Sequence, residues 1–415
     1  MQGSVLIFGE NFEYDFLSAW IKYNRLENGY SQDSLCHGVC SPSHLSYFEN
    51  GKKKLNSEII ELLLHRMNID RIPIIENIGS IRQELINFIT ELEFRNITSA
   101  KRIFNGILKY EDLIKISPYN IEFKIYKLAY DIHIDRKNYT DLKKDISYID
   151  NIYSALNDDL RYLYLLLTGR LTYKYISHIE GLTRLENAKA IKDTPWVNYN
   201  LGFCYCYDKQ SLRGIISMEK ALETYQHLGQ YVCAMYCNIY LGICYTDLQM
   251  YDEALNHLKA TYTAANHFKI DSVLTQAYVH LSNMYMYLQD YTESLHWAQL
   301  ALIGDFSVLA AVNCTECLNK LNRLEECKDI FDRFLISEKK DSLYYNLLYF
   351  NYLSIFHFDE DIFYQETIKN ILPYYESINY SNICDIINKK LIEYFEKNRK
   401  YKDANKLYRK LLENK

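Results

Sequence analysis

The chain has 415 residues, of which 48% are hydrophobic and only 5 are proline, and this composition excludes a largely disordered protein. The length accommodates two or more domains or one long repeat array. A formal net charge of −6 counts against nucleic-acid binding by the chain as a whole, so any such binding has to come from one segment.

The sequence gives no sign of a membrane segment, a metal site or a catalytic motif. It has no run of 18 apolar residues, and its start lacks the basic residues of a signal peptide, so we expect a cytoplasmic protein without membrane contact. The 11 cysteines are dispersed over predicted helices, and Cys314-Thr315-Glu316-Cys317 has no partner motif at zinc-finger spacing. Phosphate loops, GxSxG and HExxH are also missing. We expect no enzyme, cofactor or metal.

Residues 1–69 predict a small helical domain, because capping signals divide 18–69 into four or five short helices. Ser31 precedes a helix that begins at Gln32, and Ser41 with Pro42 begins the next one, which ends at Glu49-Asn50-Gly51. Two short helices joined by a Gly-containing turn form a helix-turn-helix layout. Residues 70–80, which contain Pro73 and Gly79, are interpreted as a linker and hinge.

Residues 81–415 predict a repeat array, because one pattern occurs three times at an offset of 40 residues between positions 195 and 301. The pattern is Leu201, Gly202 and Tyr205, then Leu241, Gly242 and Tyr245, then Leu281, Ser282 and Tyr285. Apolar residues fall three and four apart, which predicts helical hairpins with small residues where two helices approach closely. We read seven to nine such units, and the alternative is an ordinary helical bundle.

These residues resemble known families. The repeats resemble tetratricopeptide repeats, and YSQDSLCHGVCSPSHLSYFENG resembles the phage-repressor type of helix-turn-helix. Together they resemble the RRNPP family of peptide-responsive quorum-sensing regulators, in its PlcR/NprR-like branch. The resemblance implies an all-α protein with a right-handed repeat superhelix whose concave surface binds a short signalling peptide. It also implies a structural ion pair between Arg25 and Glu49, and a contact of Gln32 with a DNA phosphate.

For double-stranded DNA, most of the predicted contact residues lie on the recognition helix, which begins after Ser41, and in the turn that follows it. By alignment this recognition helix presents Ser41, Ser43, His44 and Tyr47 outward, while Val39, Leu45 and Phe48 point into the core. Lys52, Lys53 and Lys54 would contact phosphates, although a lysine run is more often a solvated surface. No arginine is available for bidentate contact with guanine, so DNA shape would contribute to specificity. We expect a homodimer on a symmetric site, with a higher oligomer on peptide binding left open.

For a peptide, the predicted contacts lie on the first helix of each repeat. The resemblance implies an Asn two residues before the small residue, and Asn200 and Asn313 match that position, whereas Tyr240 and His280 occupy it in between. Asn238 and Asn283 lie nearby on the same helices. The candidates for apolar pockets are Trp196, Tyr199, Phe203, Tyr236, Ile243, Val279 and Met286, although an aromatic stripe at helical spacing is more often core. The alternatives to a peptide-switched regulator are a protein–protein adaptor, a phosphorelay-modulating repeat protein and a phage-encoded lysis–lysogeny regulator.

Overall fold

The computed structural model describes residues 16–70, 72, 75, 77–303, 307–337, 343–377 and 380–413, and these residues form helices and turns without a strand. The predicted all-α class is confirmed. The chain folds into two compact units, of which the first ends at Tyr240 and the second begins at Leu241. Within the described ranges, no helix has the length and apolar character needed to cross a membrane.

The first unit begins with a four-helix head that comprises α1 (Leu17–Glu27), α2 (Gln32–Cys36), α3 (Pro42–Glu49) and α4 (Ser57–Arg66). The predicted caps are confirmed, because the hydroxyl of Ser31 accepts from the backbone N–H of Ser34 and that of Ser41 from the N–H of His44. Gly51 follows α3 with a φ of +68°, a left-handed conformation that ends the helix at little steric cost. The helix-turn-helix layout therefore forms where the sequence predicted it.

The rest of the first unit consists of consecutive helices joined by short turns. They are α5 (Ile78–Glu93), α6 (Ile97–Ile107), α7 (Glu111–Lys115), α8 (Asn120–His133), α9 (Tyr139–Ile152), α10 (Asp158–Tyr175), α11 (His178–Ile191), α12 (Pro195–Tyr207), α13 (Ser211–His227) and the start of α14 (Tyr231–Asp247). Two 3-10 turns, Leu108–Tyr110 and Tyr153–Ala155, follow α6 and α9. Gly79 lies inside α5, whereas Pro73 of the predicted hinge lies outside the described residues.

The second unit continues the same helical pattern from the end of α14. Its further helices are α15 (Tyr251–Phe268), α16 (Asp271–Tyr287), α17 (Tyr291–Leu300), α18 (Ser307–Lys320), α19 (Leu324–Ser337), α20 (Leu343–Phe356), α21 (Asp361–Glu366), α22 (Leu372–Ser377), α23 (Ser381–Lys397) and α24 (Tyr401–Glu413). A π-helical segment, Thr367–Ile371, joins α21 to α22.

The small residues of the repeating pattern lie where the two helices of a pair approach closely, as predicted. A methyl group added to Gly202 would lie 2.7 Å from the side chain of Met218, and one added to Gly242 would lie 2.7 Å from that of Leu258. In the third copy Ser282 replaces glycine, and its side-chain oxygen lies 3.1 Å from that of Ser294 on the facing helix. At the close approach of the two helices, each copy therefore has either a glycine hydrogen or the small hydroxymethyl group of serine.

The turns inside the pairs use polar residues in the left-handed conformation where glycine is commoner. Lys209, Gln249 and Gln289 have φ values of 56°, 60° and 60° and follow the first helix of three successive pairs. Arg95 adopts a φ of 64° directly after α5. The cysteines of the described residues are free thiols, and most of them are buried.

Candidate functional sites

The head is held together by a buried ion pair between its first and third helices. Nε and Nη2 of Arg25 donate to the two carboxylate oxygens of Glu49 over 2.5 and 2.8 Å, and Nη1 donates to the carbonyl of Tyr30 over 2.9 Å. The amide nitrogen of Gln32 also donates to Glu49, over 2.7 Å. This is the ion pair that the resemblance implied. Gln32 is engaged inside the head, and the second hydrogen of its amide nitrogen is the one that could reach a phosphate.

The side chains of α3 divide into a buried face and an exposed face, as predicted. Leu45 and Phe48 are buried, whereas Ser43 is exposed and Tyr47 retains 48% of its accessible surface. His44 is half-buried. The exposed face therefore offers hydroxyl and imidazole groups, which can hydrogen-bond to base edges or phosphates. Ser41 is also exposed, and its oxygen caps the helix, so its role in the structure is first of all local.

The lysine run lies in the turn that follows α3. Lys52, Lys53 and Lys54 are all exposed, and the backbone N–H of Lys52 donates to the carbonyl of Tyr47 over 2.8 Å, which folds the run back beside the recognition helix. The ammonium of Lys53 lies 5.5 Å from the centre of the Tyr47 ring. The run and the exposed face of α3 therefore form one continuous surface of positive and hydroxyl groups.

The fourth helix of the head braces the turn between α2 and α3, a role that the sequence did not reveal. Nη1 of Arg66, the last residue of α4, donates to the carbonyls of Leu35 and His37, each over 2.7 Å. The hydroxyl of Tyr30 donates in turn to the carbonyl of Arg66 over 3.1 Å. These bonds satisfy carbonyls at the end of α2 that have no intrahelical partner. The signal in the sequence was an arginine at a helix C-terminus, which is too common to predict a particular contact.

The C-terminal end of the recognition helix is joined to the repeats of the first unit. The hydroxyl of Ser154, after α9, donates to the side-chain carbonyl of Asn50 over 2.6 Å, and the ammonium of Lys22 lies 3.4 Å from Asn50 and 3.3 Å from Ser154. The rings of Tyr23 on α1 and Tyr148 on α9 lie 5.8 Å apart. The head thus has direct contacts with α9, and the sequence analysis had placed its coupling in the linker alone.

Several residues predicted to bind a peptide meet on the first helices of successive pairs in the first unit. The ring of Tyr240 on α14 lies edge-on to Tyr199 and Phe203 on α12, with centroid distances of 5.8 and 5.2 Å. Tyr236 is half-buried one turn earlier on α14, whereas Trp196 at the start of α12 is buried. The structure therefore brings together Tyr199, Phe203 and Tyr240, three of the aromatic side chains that the sequence analysis selected.

Two arginines that the sequence analysis did not select complete this group. The guanidinium of Arg95 lies 3.9 Å from the ring centre of Tyr236 and 5.0 Å from that of Tyr199, and the guanidinium of Arg170 on α10 lies 3.7 Å from that of Phe203. We call the set formed by Arg95, Arg170, Tyr199, Phe203, Tyr236 and Tyr240 the arginine–aromatic cluster. Stacking of this kind stabilises a guanidinium on the ring face and keeps its plane fixed.

The surroundings of the cluster carry two perturbed ionisable groups. Burial, together with the positive charges of Arg170 and Arg95, lowers the pKa of His133 to about 4, so this imidazole is neutral near pH 7. Burial raises the pKa of Glu93 to about 7, and its carboxylate accepts from the hydroxyl of Tyr225 over 3.4 Å. The backbone carbonyl of Glu93 accepts from the thiol of Cys233, which is 140 residues away in the chain. The end of α5 therefore lies against the start of α14.

Asn200 and Asn313, the two asparagines that match the position implied by the resemblance, are hydrogen-bonded within the protein. The side-chain nitrogen of Asn200 donates to the carbonyl of Trp196 in its own helix over 2.8 Å. In the second unit, the side-chain nitrogen of Asn313 donates to Ser282 and to the side-chain carbonyl of Asn283, over 3.3 and 2.8 Å. Both amide nitrogens are thus bonded within the protein, and a ligand would have to displace these bonds or use the amide oxygens.

The remaining predicted residues differ in their accessibility. Val279 is 1% exposed and packs with Ala301 and Ala310, so it is a core residue rather than a groove residue. Burial lowers the pKa of His280 to about 4. The other predicted residues that are half-buried are Asn238, Ile243, Asn283 and Met286. The candidate groups are therefore the arginine–aromatic cluster in the first unit and the hydrogen-bonded pair of Asn283 and Asn313 in the second.

Comparison with known proteins extends over nearly the whole chain. No protein-family model matches it. The transcriptional activator NprA of Geobacillus stearothermophilus is 23% identical over 403 residues, which cover 90% of this chain and 97% of the relative. The uncovered tenth is shorter than the head, so the match includes residues of both the head and the repeats. This chain is therefore similar to a transcriptional activator over almost its whole length.

Solved structures share the fold of this chain. The crystal structure of a Rap protein complexed with competence and sporulation factor has a TM-score of 0.67 and 17% identity, and covers 81% of this chain and 97% of that one. The crystal structure of NprR in complex with its cognate peptide NprX has a TM-score of 0.61 and 15% identity, and covers 82% of this chain and 99% of that one. The helical fold of these two proteins is therefore the fold of this chain.

Proposed function

We propose that this protein is a DNA-binding transcriptional regulator whose activity is switched by a short peptide bound on the repeats. The observation that carries the proposal is that one compact unit contains both a helix-turn-helix with an exposed recognition face and a cluster of cations and aromatic rings on repeat helices. The head contacts these repeats directly through Asn50 and Ser154. A ligand that favours one arrangement of the repeats can therefore change the position of the recognition helix.

The relatives support the same assignment. NprA is a transcriptional activator, and the two structural neighbours were determined with a bound peptide or signalling factor. We infer that double-stranded DNA and a short linear peptide are the partners of this chain, with the head reaching to about residue 69, a linker at 70–80 and the repeats beyond. Peptide recognition would use the half-buried rings of the arginine–aromatic cluster, which are Phe203, Tyr236 and Tyr240.

We further propose that the protein binds DNA as a homodimer. The head has few basic residues besides the lysine run, so one head neutralises few phosphates and two heads on one site would be needed for useful affinity. Sedimentation of the protein with DNA and peptide at saturation tests this directly. A complex that contains a single copy of the chain would contradict it.

The test of the proposed function is DNA binding by the full-length protein to fragments of its own promoter neighbourhood, with and without short peptides encoded beside its gene. We expect one peptide to change the affinity or the oligomeric state. Replacing Ser43 and His44 with alanine should reduce discrimination between specific and random DNA by tenfold or more, since base contacts are worth roughly 1–3 kcal/mol each.

A second variant separates phosphate contact from base contact. Lys53→Gln should weaken binding to all sequences alike and lower the slope of log affinity against log salt by about one unit. Lys101→Gln, at an exposed position of α6, is the matched control and should leave the slope unchanged. Capture of a response-regulator protein in the absence of any DNA footprint would instead identify the chain as an adaptor or a modulator of a phosphorelay.

A further inference from the structure

Arg95 and Arg170 differ from Arg82, Arg184 and Arg213 of the first unit in having no carboxylate partner among the described residues. Arg82 pairs with Glu122 over 2.9 Å, and Arg213 pairs with Glu186 over 2.8 Å while it also stacks on the ring of Tyr205. Arg184 pairs with Asp150 and Glu180. Arg95 and Arg170 are half-buried and stacked, yet no Asp or Glu in the described ranges lies within ion-pair distance of either.

The guanidinium groups of Arg95 and Arg170 lie in the same region of the first unit. Both contribute positive potential at His133, and Tyr240 makes edge contacts with the ring that lies under each of them, Tyr199 and Phe203. Two like charges held close together on partly desolvated rings repel each other unless an anion lies between them. The neighbouring carboxylate of Glu93 accepts from the hydroxyl of Tyr225, and among the described residues no ion pair joins it to Arg95 or Arg170. Burial raises its pKa to about 7, which weakens its negative charge near neutral pH.

The geometry of a stacked guanidinium determines which anion fits. When the ring covers its face, the N–H groups that remain point outward in the guanidinium plane, where they can donate two parallel bonds to a carboxylate. The aromatic rings beside them offer apolar surface for the carbons next to that carboxylate. This combination of a planar fork and an aromatic wall fits the carboxylate of a peptide better than a freely hydrated inorganic anion.

We propose that Arg95 and Arg170 together bind a carboxylate of the ligand peptide, so that the ligand is a peptide recognised through its negative charge. The proposal rests on the peptide-receptor function put forward above and adds the chemical class of its ligand. The carboxylate can be that of the peptide's C-terminus or that of an Asp or Glu side chain. The experiment distinguishes these two sources.

The test uses four pools of synthetic heptapeptides and the full-length protein, with binding measured by affinity selection and mass spectrometry. The pools combine a free or amidated C-terminus with the presence or absence of Asp and Glu. We expect the pool without any carboxylate to be retained at least about tenfold less than the best pool, because charge-assisted hydrogen bonds are worth roughly 1.5–3 kcal/mol. Retention of the amidated acidic pool identifies a side-chain carboxylate, and retention of the free-acid pool without Asp or Glu identifies the C-terminus.

Variants assign the effect to the two arginines. The double variant Arg95→Gln with Arg170→Gln should retain the four pools alike, whereas Arg213→Gln, which also removes a ring-stacked arginine, should keep the preference of the wild type. Circular dichroism and thermal unfolding verify that both variants are folded. Arg170→Lys keeps the charge but loses the planar pair of N–H donors, so its preference for carboxylate-containing pools should be weaker than that of the wild type and stronger than that of the double variant.

The two possible failures are distinguishable. Equal retention of all four pools by the wild type would overturn the carboxylate proposal and leave peptide binding intact. A preference for carboxylates that persists in the double variant would place the anion site elsewhere and would also overturn it. If the wild type retains no pool, the peptide-receptor function itself fails.

Discussion

The buried ion pair of the head allows a quantitative prediction about its stability. Arg25 and Glu49 are 7% and 0% exposed, and their two hydrogen bonds measure 2.5 and 2.8 Å. Arg25→Met leaves the Glu49 carboxylate buried with Gln32 as its remaining partner, and breaking a buried pair in this way costs about 3–5 kcal/mol. Arg25→Met combined with Glu49→Leu removes both charges. We expect that double variant to cost only about 1–2 kcal/mol, for the bonds lost to Tyr30 and Gln32.

Hydrogen exchange of the amides of α1 and α3 in the full-length protein measures the free energy of local opening of the head in the wild type, in Arg25→Met and in the double variant. The matched control is Arg323→Met in the second unit, where Arg323 donates to both oxygens of Glu326 over 2.6 Å but the two side chains are 44% and 51% exposed. Exposed pairs of this kind contribute little to stability, because solvent screens the two charges. The reasoning would be refuted if Arg25→Met cost no more than the control, or if the double variant were no more stable than Arg25→Met alone.

Three further predictions concern the repeats. Gly181→Ala should destabilise the first unit by about 1–3 kcal/mol in urea unfolding, because its new methyl group would lie 2.4 Å from backbone atoms of Tyr173, whereas Gly106→Ala, with nothing within 4 Å, should stabilise by about 0.5–1 kcal/mol. Glu93 has a folded pKa of about 7, above its ordinary 4.5, so the stability it contributes is present below pH 4.5 and is lost as the pH rises through 7. Glu93→Gln should therefore reduce the fall in the free energy of unfolding between pH 4.5 and pH 7 by up to about 3 kcal/mol. If the substitution changed the free energy of unfolding equally at pH 4 and pH 8, the titration of Glu93 would be excluded as the cause of the pH dependence. His280 has a folded pKa of about 4, below its ordinary 6.5, so its contribution is present above pH 6.5 and lost as the pH falls through 4, and His280→Asn should reduce the loss of stability between these two values.

The parts of the structure that could be predicted are those with a local cause. Ser31 and Ser41 were recognised as caps because a hydroxyl before a helix satisfies an N–H two or three residues later, and this requires no knowledge of the fold. Gly202 and Gly242 were recognised as close approaches because the repeat places them at the same point of each unit. The faces of α3 followed from helical spacing in the same way, with Leu45 buried.

The parts that could not be predicted depend on long-range packing. Arg95 follows the first repeat helix, and the rings it covers come from α12 and α14, so no spacing in the sequence connects them. Asn200 was selected as a ligand contact because it matched a position of the resembled family, but the structure shows its amide nitrogen bonded to Trp196. Val279 lies on a helix that was expected to line the groove, yet its rotation about the helix axis places it in the core. Periodicity identifies a helix face, and only the packing of its neighbours determines whether that face is open.

The contact of the end of α5 with α14 has a consequence for how recognition could change in evolution. In most repeat proteins each unit touches only its neighbours, so units can be exchanged, added or deleted one at a time. Here Arg95 covers Tyr236, and Cys233 donates to Glu93, although several helix pairs separate them in the chain. Exchanging α5 and α6 with those of a relative would remove a cation from rings contributed by α12 and α14. If the arginine–aromatic cluster binds the ligand as we propose, ligand specificity is inherited as one block, and chimaeras that recombine between α6 and α12 should lose it even when every unit folds.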